Sequence, residues 1–135
     1  MTRQPKKQIP VLLYRYEGPG RNIGYTLSPL YMDEQAQSQV VEEEMLFIYA
    51  EDFVPILEVL ERYFPLEDMH RGEMMESFDH CFDNPISKAV WLSVLDELNL
   101  QTFEEPDLRS FMDRFVAWAS KALETADGID VEGNL

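Results

Sequence analysis

The sequence predicts an α+β domain, with short strands first and longer helices after them. Three observations carry that prediction. Two short stretches, Val11 to Tyr16 and Ile23 to Ser28, divide their side chains between two faces as strands do. A continuous apolar run of strand length covers Met45 to Ala50. From Asp52 onward the apolar spacing changes to the three-and-four repeat of helices. The expected architecture is a set of N-terminal antiparallel strands, a hairpin plus a buried strand, packed with three or four helices.

Val11 to Tyr16 reads as the first strand, with Leu12, Tyr14 and Tyr16 on one face. The turn-rich stretch Gly18-Pro19-Gly20-Arg21-Asn22 then leads to a second strand, Ile23 to Ser28, and the two form the hairpin. Pro29 should end that strand or confine it to an edge. Asp33 to Glu44 is polar, poorly periodic and expected to be loop. Met45 to Ala50 is the buried strand. Asp52 can cap a first helix with the stripe Phe53, Ile56, Leu57, Leu60, Tyr63 and Phe64. Pro55 is placed in its first turn, and Pro65 stops it.

Residues 69–82 fit two periods. Met74, Met75, Phe78, Cys81 and Phe82 have helical spacing, while Phe78, His80 and Phe82 fit a strand. Helix is the preferred expectation. Asn84-Pro85 reads as the start signal of a helix from about Ile86 to Leu98, with Val90, Val94 and Leu98 inward. The longest helix is expected from Pro106 to about Ala126, burying Leu108, Phe111, Met112, Phe115, Trp118, Ala119 and Leu123. Gly128 should terminate it, and Ile129 with Val131 suits a short last strand.

A chain of 135 residues with 45% hydrophobic content is long enough for a single packed domain, 1–135. Residues 1–9 read as a disordered basic tail. Cys81 is the only cysteine, so no internal disulfide forms and nothing points to an oxidising compartment. The apolar run after Arg3, Lys6 and Lys7 is too short for a signal-peptide core, and no stretch suits a membrane span. The cytoplasm is the expected location.

Charge is the strongest global signal. Residues 1–32 hold five basic residues and one acid; residues 33–135 hold six basic residues and 25 acids, for an overall −15. Such a surface argues against phosphate-mediated nucleic-acid binding and against anionic membranes. A basic protein is its natural complement, because opposite fields accelerate encounter.

Chemical motifs are sparse. Gly18, Gly20 and Gly24 do not form a dinucleotide fingerprint, since Ile23 stands where the third glycine belongs. Asp79-His80-Cys81-Phe82-Asp83 offers metal-ligating residue types, but one cysteine and two histidines fall short of a zinc set, so no metal and no cofactor are expected. A nucleophilic pair of Cys81 and His70 lacks any orienting third group. Glu104, Glu105 and Asp107 suit the positive end of the longest helix, and Glu42 to Glu44 reads as a solvated run.

The segment 67–83 is different in kind. Its six acids, Glu67, Asp68, Glu73, Glu76, Asp79 and Asp83, interleave with Met69, Met74, Met75, Phe78 and Phe82. Acid mixed with soft, adaptable apolar surface suits a basic, partly hydrophobic partner. These six acids are the candidate partner-binding residues; no catalytic residue is assigned. The same pattern also fits a core element with an acidic outer face.

Phe82-Asp83-Asn84 leading into a helix, the stretch Phe115-Val116-Ala117-Trp118-Ala119, and Val131-Glu132-Gly133-Asn134 carry a resemblance over the second half of the chain. There it resembles small bacterial immunity proteins of toxin–immunity systems, such as contact-dependent growth inhibition. That resemblance implies a cytoplasmic inhibitor, not an enzyme, that binds one cognate toxin, often a nuclease, and occludes it. The alternatives are an acidic adaptor or nucleic-acid mimic that blocks another basic protein, and an enzyme of unrecognised type.

Overall fold

A computed structural model describes residues 9–18 and 23–135. The expectation for residues 1–8 and for the turn at 19–22 falls outside the described residues. The elements are β1 (Gly24–Leu30), α1 (Glu34–Ser38), a 3₁₀ turn (Glu42–Glu44), β2 (Leu46–Tyr49), α2 (Ala50–Glu61), β3 (Leu66–Glu67), β4 (Met74–Met75), β5 (Asp83–Ser87), α3 (Lys88–Leu100), α4 (Pro106–Leu123) and β6 (Gly128–Gly133). The α+β class is as expected. One antiparallel sheet has the order β2-β1-β6-β5, and β3 with β4 forms a separate small hairpin.

Register sorts the sheet into two faces. Leu27 pairs with Leu46 and Val131, Tyr25 with Ile48, and Ile86 with Ile129. These residues form one buried cluster with Phe53, Ile56 and Leu60 of α2, Trp91 and Val94 of α3, and Phe111 and Phe115 of α4. The helices thus cover the inner face. Trp91 is fully buried, and its indole N–H donates to the Ile129 carbonyl at 3.0 Å. The core is therefore tied to β6 by a directional bond as well as by area.

Several expectations are corrected. Residues 11–16 are not a strand. Val11 makes only a single parallel bridge to Phe47, and β1 pairs with β2 and β6 instead. The reason lies at Asp52. Its buried carboxylate accepts the backbone N–H groups of Tyr14, Arg15 and Tyr16 at 2.9–3.0 Å. Three consecutive donors turned onto one carboxylate cannot also form a ladder. Asp52 is consequently not the cap of α2, which starts two residues earlier, so Pro55 falls in the second turn. The same segment reaches α4: Tyr14 Oη donates to Glu105 at 3.0 Å, Arg15 pairs with Glu105, and Arg114 donates to the Leu13 carbonyl. Residues 11–16 act as a strap from the β2 edge to the start of the longest helix.

Asp33 to Glu44 is not plain loop: Asp33 caps α1 through the Gln35 N–H, and the 3₁₀ turn follows. Asn84-Pro85 lies inside β5 rather than starting α3. Gly128 belongs to β6, where an added Cβ would sit 2.3 Å from the Ile86 carbonyl oxygen; close strand contact, not helix termination, demands glycine. The last strand exists as expected and lies between β1 and β5 in the sheet. Pro29 stays within β1, beyond the β1–β2 register, where β6 alone is beside it. Trp118 is half-buried, whereas Phe111, Met112, Phe115, Ala119 and Leu123 are buried as the stripe requires.

Candidate functional site: an acidic cleft beside the sheet edge

Residues 69–82 are not a helix. The β3–β4 hairpin pairs Leu66 with Met75 and Glu67 with Met74. Its tip closes through Asp68, whose N–H donates to the Glu73 carbonyl at 2.7 Å and whose carbonyl accepts from Gly72 at 2.8 Å. The Asp68 carboxylate also accepts from the His70 and Arg71 N–H groups at 2.7 and 3.0 Å. Gly72 has φ of 69°, a left-handed value that favours glycine. These local bonds offer the backbone a turn in place of a helix.

The following loop is organised by Asp79 and Asn84. Asp79 Oδ1 accepts from the N–H groups of Cys81 and Phe82 at 2.9 and 3.2 Å. The buried Asn84 side chain accepts from the Asp79 N–H and donates to the carbonyls of Asp79 and Val131, all within 2.9 Å. Phe78 turns inward against Phe64, Tyr25 and His80. Phe82 is left outside, 67% exposed.

Hairpin and loop together bound an open cleft of about 380 Å³. Four of the six expected acids line it: Asp68, Glu73, Asp79 and Asp83. Glu67 and Glu76 are exposed but do not line it. Asp68 and Asp79 hold backbone turns, so they shape the walls. Glu73 and Asp83 are exposed. Met74, 59% exposed, and Phe82 supply apolar surface, and Arg71 contributes the one cation among the lining residues.

Asp83 also borders a second cleft of about 380 Å³ on the outer face of the sheet, with Ser28, Gln37, His70, Pro85 and Asp130. Asp130 was not singled out from sequence. Burial first, then the charges of Asp83 and Glu132, push its carboxyl up to about 7, against a lowering hydrogen bond from the Asn84 backbone. A signal existed: Asp130 lies between Ile129 and Val131, so strand alternation places it opposite the core. What was missing was the central position of β6.

The other reactive residue types are engaged elsewhere. His70 shares a 2.9 Å hydrogen bond with Gln37, His80 shares one with the Tyr25 hydroxyl, and Cys81 Sγ donates to the Leu135 carbonyl. Among the described residues no group of three or more His, Cys, Asp or Glu side chains is arranged to hold a metal ion. Among the same residues, no helix is long and apolar enough to cross a membrane. No family model, curated protein or solved structure matches the chain.

Proposed function

We propose that this protein is an immunity-type inhibitor that binds a basic cognate toxin through the acidic cleft and covers its active site or substrate surface. The observation that carries this reading is the meeting of exposed Met74 and Phe82 with Glu73 and Asp83 in one cleft. Soft apolar anchors would supply the buried contact, and the acids around them would steer and pair cationic side chains. The net charge of −15 extends that steering field beyond the cleft. The protein would act in the cytoplasm, where its single cysteine stays reduced, and by binding rather than by catalysis.

The test is co-expression with the product of the neighbouring open reading frame, read as growth protection and as co-purification. Wild type should protect and co-purify. The double substitution Glu73→Lys with Asp83→Lys should weaken binding by at least ~2 kcal/mol if these acids pair with desolvated cations. Glu58→Lys on α2 with Glu124→Lys just past the end of α4, both at exposed positions, should mainly slow association, and added salt should remove much of that effect. Equal, salt-sensitive losses in both double variants would reduce the cleft to a contributor to the overall field and overturn its role as the binding face. A toxic neighbour that is neither bound nor neutralised would overturn the inhibitor reading.

A further inference from the structure

Asp130 lies on β6 between two other strands, opposite Ser28 of β1 and Pro85 of β5. Its Oδ1 is sealed from solvent and meets no hydrogen-bond donor among the described residues. Two positions along, Glu132 stands directly opposite Asp83, on the same face of the sheet. Like charges so placed are destabilising.

Each element around Asp130 contributes a known set of groups. β1 presents the neutral Ser28, and α1 the neutral Gln37. β5 presents Asp83 and the Asn84 backbone, whose hydrogen bond alone favours the charged form, β6 presents Glu132, and the hairpin tip presents Asp68 and His70. His70 alone among these can carry a positive charge, and its Nε2 is engaged with Gln37. A carboxylate with a sealed, donorless oxygen and three acids around it is far better accommodated as the neutral acid.

We propose that Asp130 is a proton-operated latch on the β5–β6 edge: neutral, it lets β5 close against β6, and ionised, it repels Asp83 and loosens the strand. Asp83 borders both clefts, so the latch would also move a wall of the acidic cleft. The latch does not depend on the toxin-binding reading, because it rests on the sheet alone.

The sign follows from linkage. In the opened chain this carboxyl titrates near 3.8, and in the closed sheet at about 7. The closed state therefore holds the extra proton between those values. Its stabilisation is complete below the lower value and is lost as pH rises to the upper one.

The test is hydrogen exchange of β5 and β6 amides, corrected for the intrinsic pH dependence of exchange. In wild type, protection should fall at least about tenfold between pH 5.5 and 7.5. In Asp130→Asn that fall should vanish, while Glu58→Gln, which removes one exposed acid from α2, should keep it. Parallel falls in wild type and Asp130→Asn would overturn the latch. A carboxyl-carbon NMR titration of wild type decides the matter even if the Asn variant does not fold. A midpoint near neutrality supports the latch, and one below about 5 overturns it.

Discussion

Leu27 and Ser28 are neighbours on β1, yet they belong to different environments. Leu27 enters the core with Val131 and Leu46, under the helices. Ser28 faces Asp130 across the strand on the side that carries Asp83, Glu132 and an open cleft. The inner face is apolar apart from the hydrogen-bonded Asn84 opposite Val131, so most residues there are over-determined by their neighbours. The outer face pairs acid with acid and leaves a carboxylate oxygen without a donor. Such a face has not been optimised for stability, which is where functional residues are to be sought.

The sharpest way to break this comparison is at the two tryptophans. Trp91 is fully buried and bonded to the Ile129 carbonyl. Trp91→Ala should cost ~3–5 kcal/mol, the range for a large buried aromatic. Trp118 is half-buried beside Tyr31, Lys121 and Thr125, in a cleft of about 280 Å³. Its truncation should cost about 1 kcal/mol, as for a side chain that keeps much of its water contact. Denaturant melts of the two variants would measure the difference. Equal losses would mean that the helical layer packs further out than the sheet register requires.

Asn84 tests the boundary between the faces, because its buried amide ties the cleft loop to β6. Asn84→Ala would leave the Asp79 N–H and the carbonyls of Asp79 and Val131 without their partner. A loss of about 2–3 kcal/mol is expected, with increased exchange at the Asp79 amide. A loss below ~0.5 kcal/mol would show that the loop holds its shape from local bonds alone.

How far each element was legible follows from the range of the forces that set it. Helix α4 was readable because an apolar stripe repeated over its whole length, and periodicity is a local property. Strand β2 was readable from an unbroken apolar run. The strap at 11–16 was not, since its alternation is real but its N–H groups follow Asp52, about 37 residues away. Gly128 looked like a helix terminator because its actual neighbour, the Ile86 carbonyl, is distant in sequence. The candidate site was legible as a mixture of acids with Met and Phe. The division of labour within it was not. Only the turn geometry separates Asp68 and Asp79, which hold backbone N–H groups, from the exposed Glu73 and Asp83.

The smallest expected effect on stability is the most telling about function. Met74 and Phe82 are large apolar side chains held outside the core, although Phe78 in the same loop is buried. Phe82 is held out by the Asp79 and Asn84 bonds, which fix the loop whether or not the aromatic tip is present, and Met74 is held opposite Glu67 in the β3–β4 pair. The double substitution Met74→Ser with Phe82→Ser should therefore leave the unfolding midpoint within ~0.5 kcal/mol of wild type. Because few residues carry most of the energy of an interface, the same variant should lose at least about tenfold in affinity for a partner captured by wild type. A clear loss of stability would reassign the pair to packing against the hairpin. Unchanged stability with unchanged affinity would remove these two side chains from the interface, leaving the cleft acids to act alone.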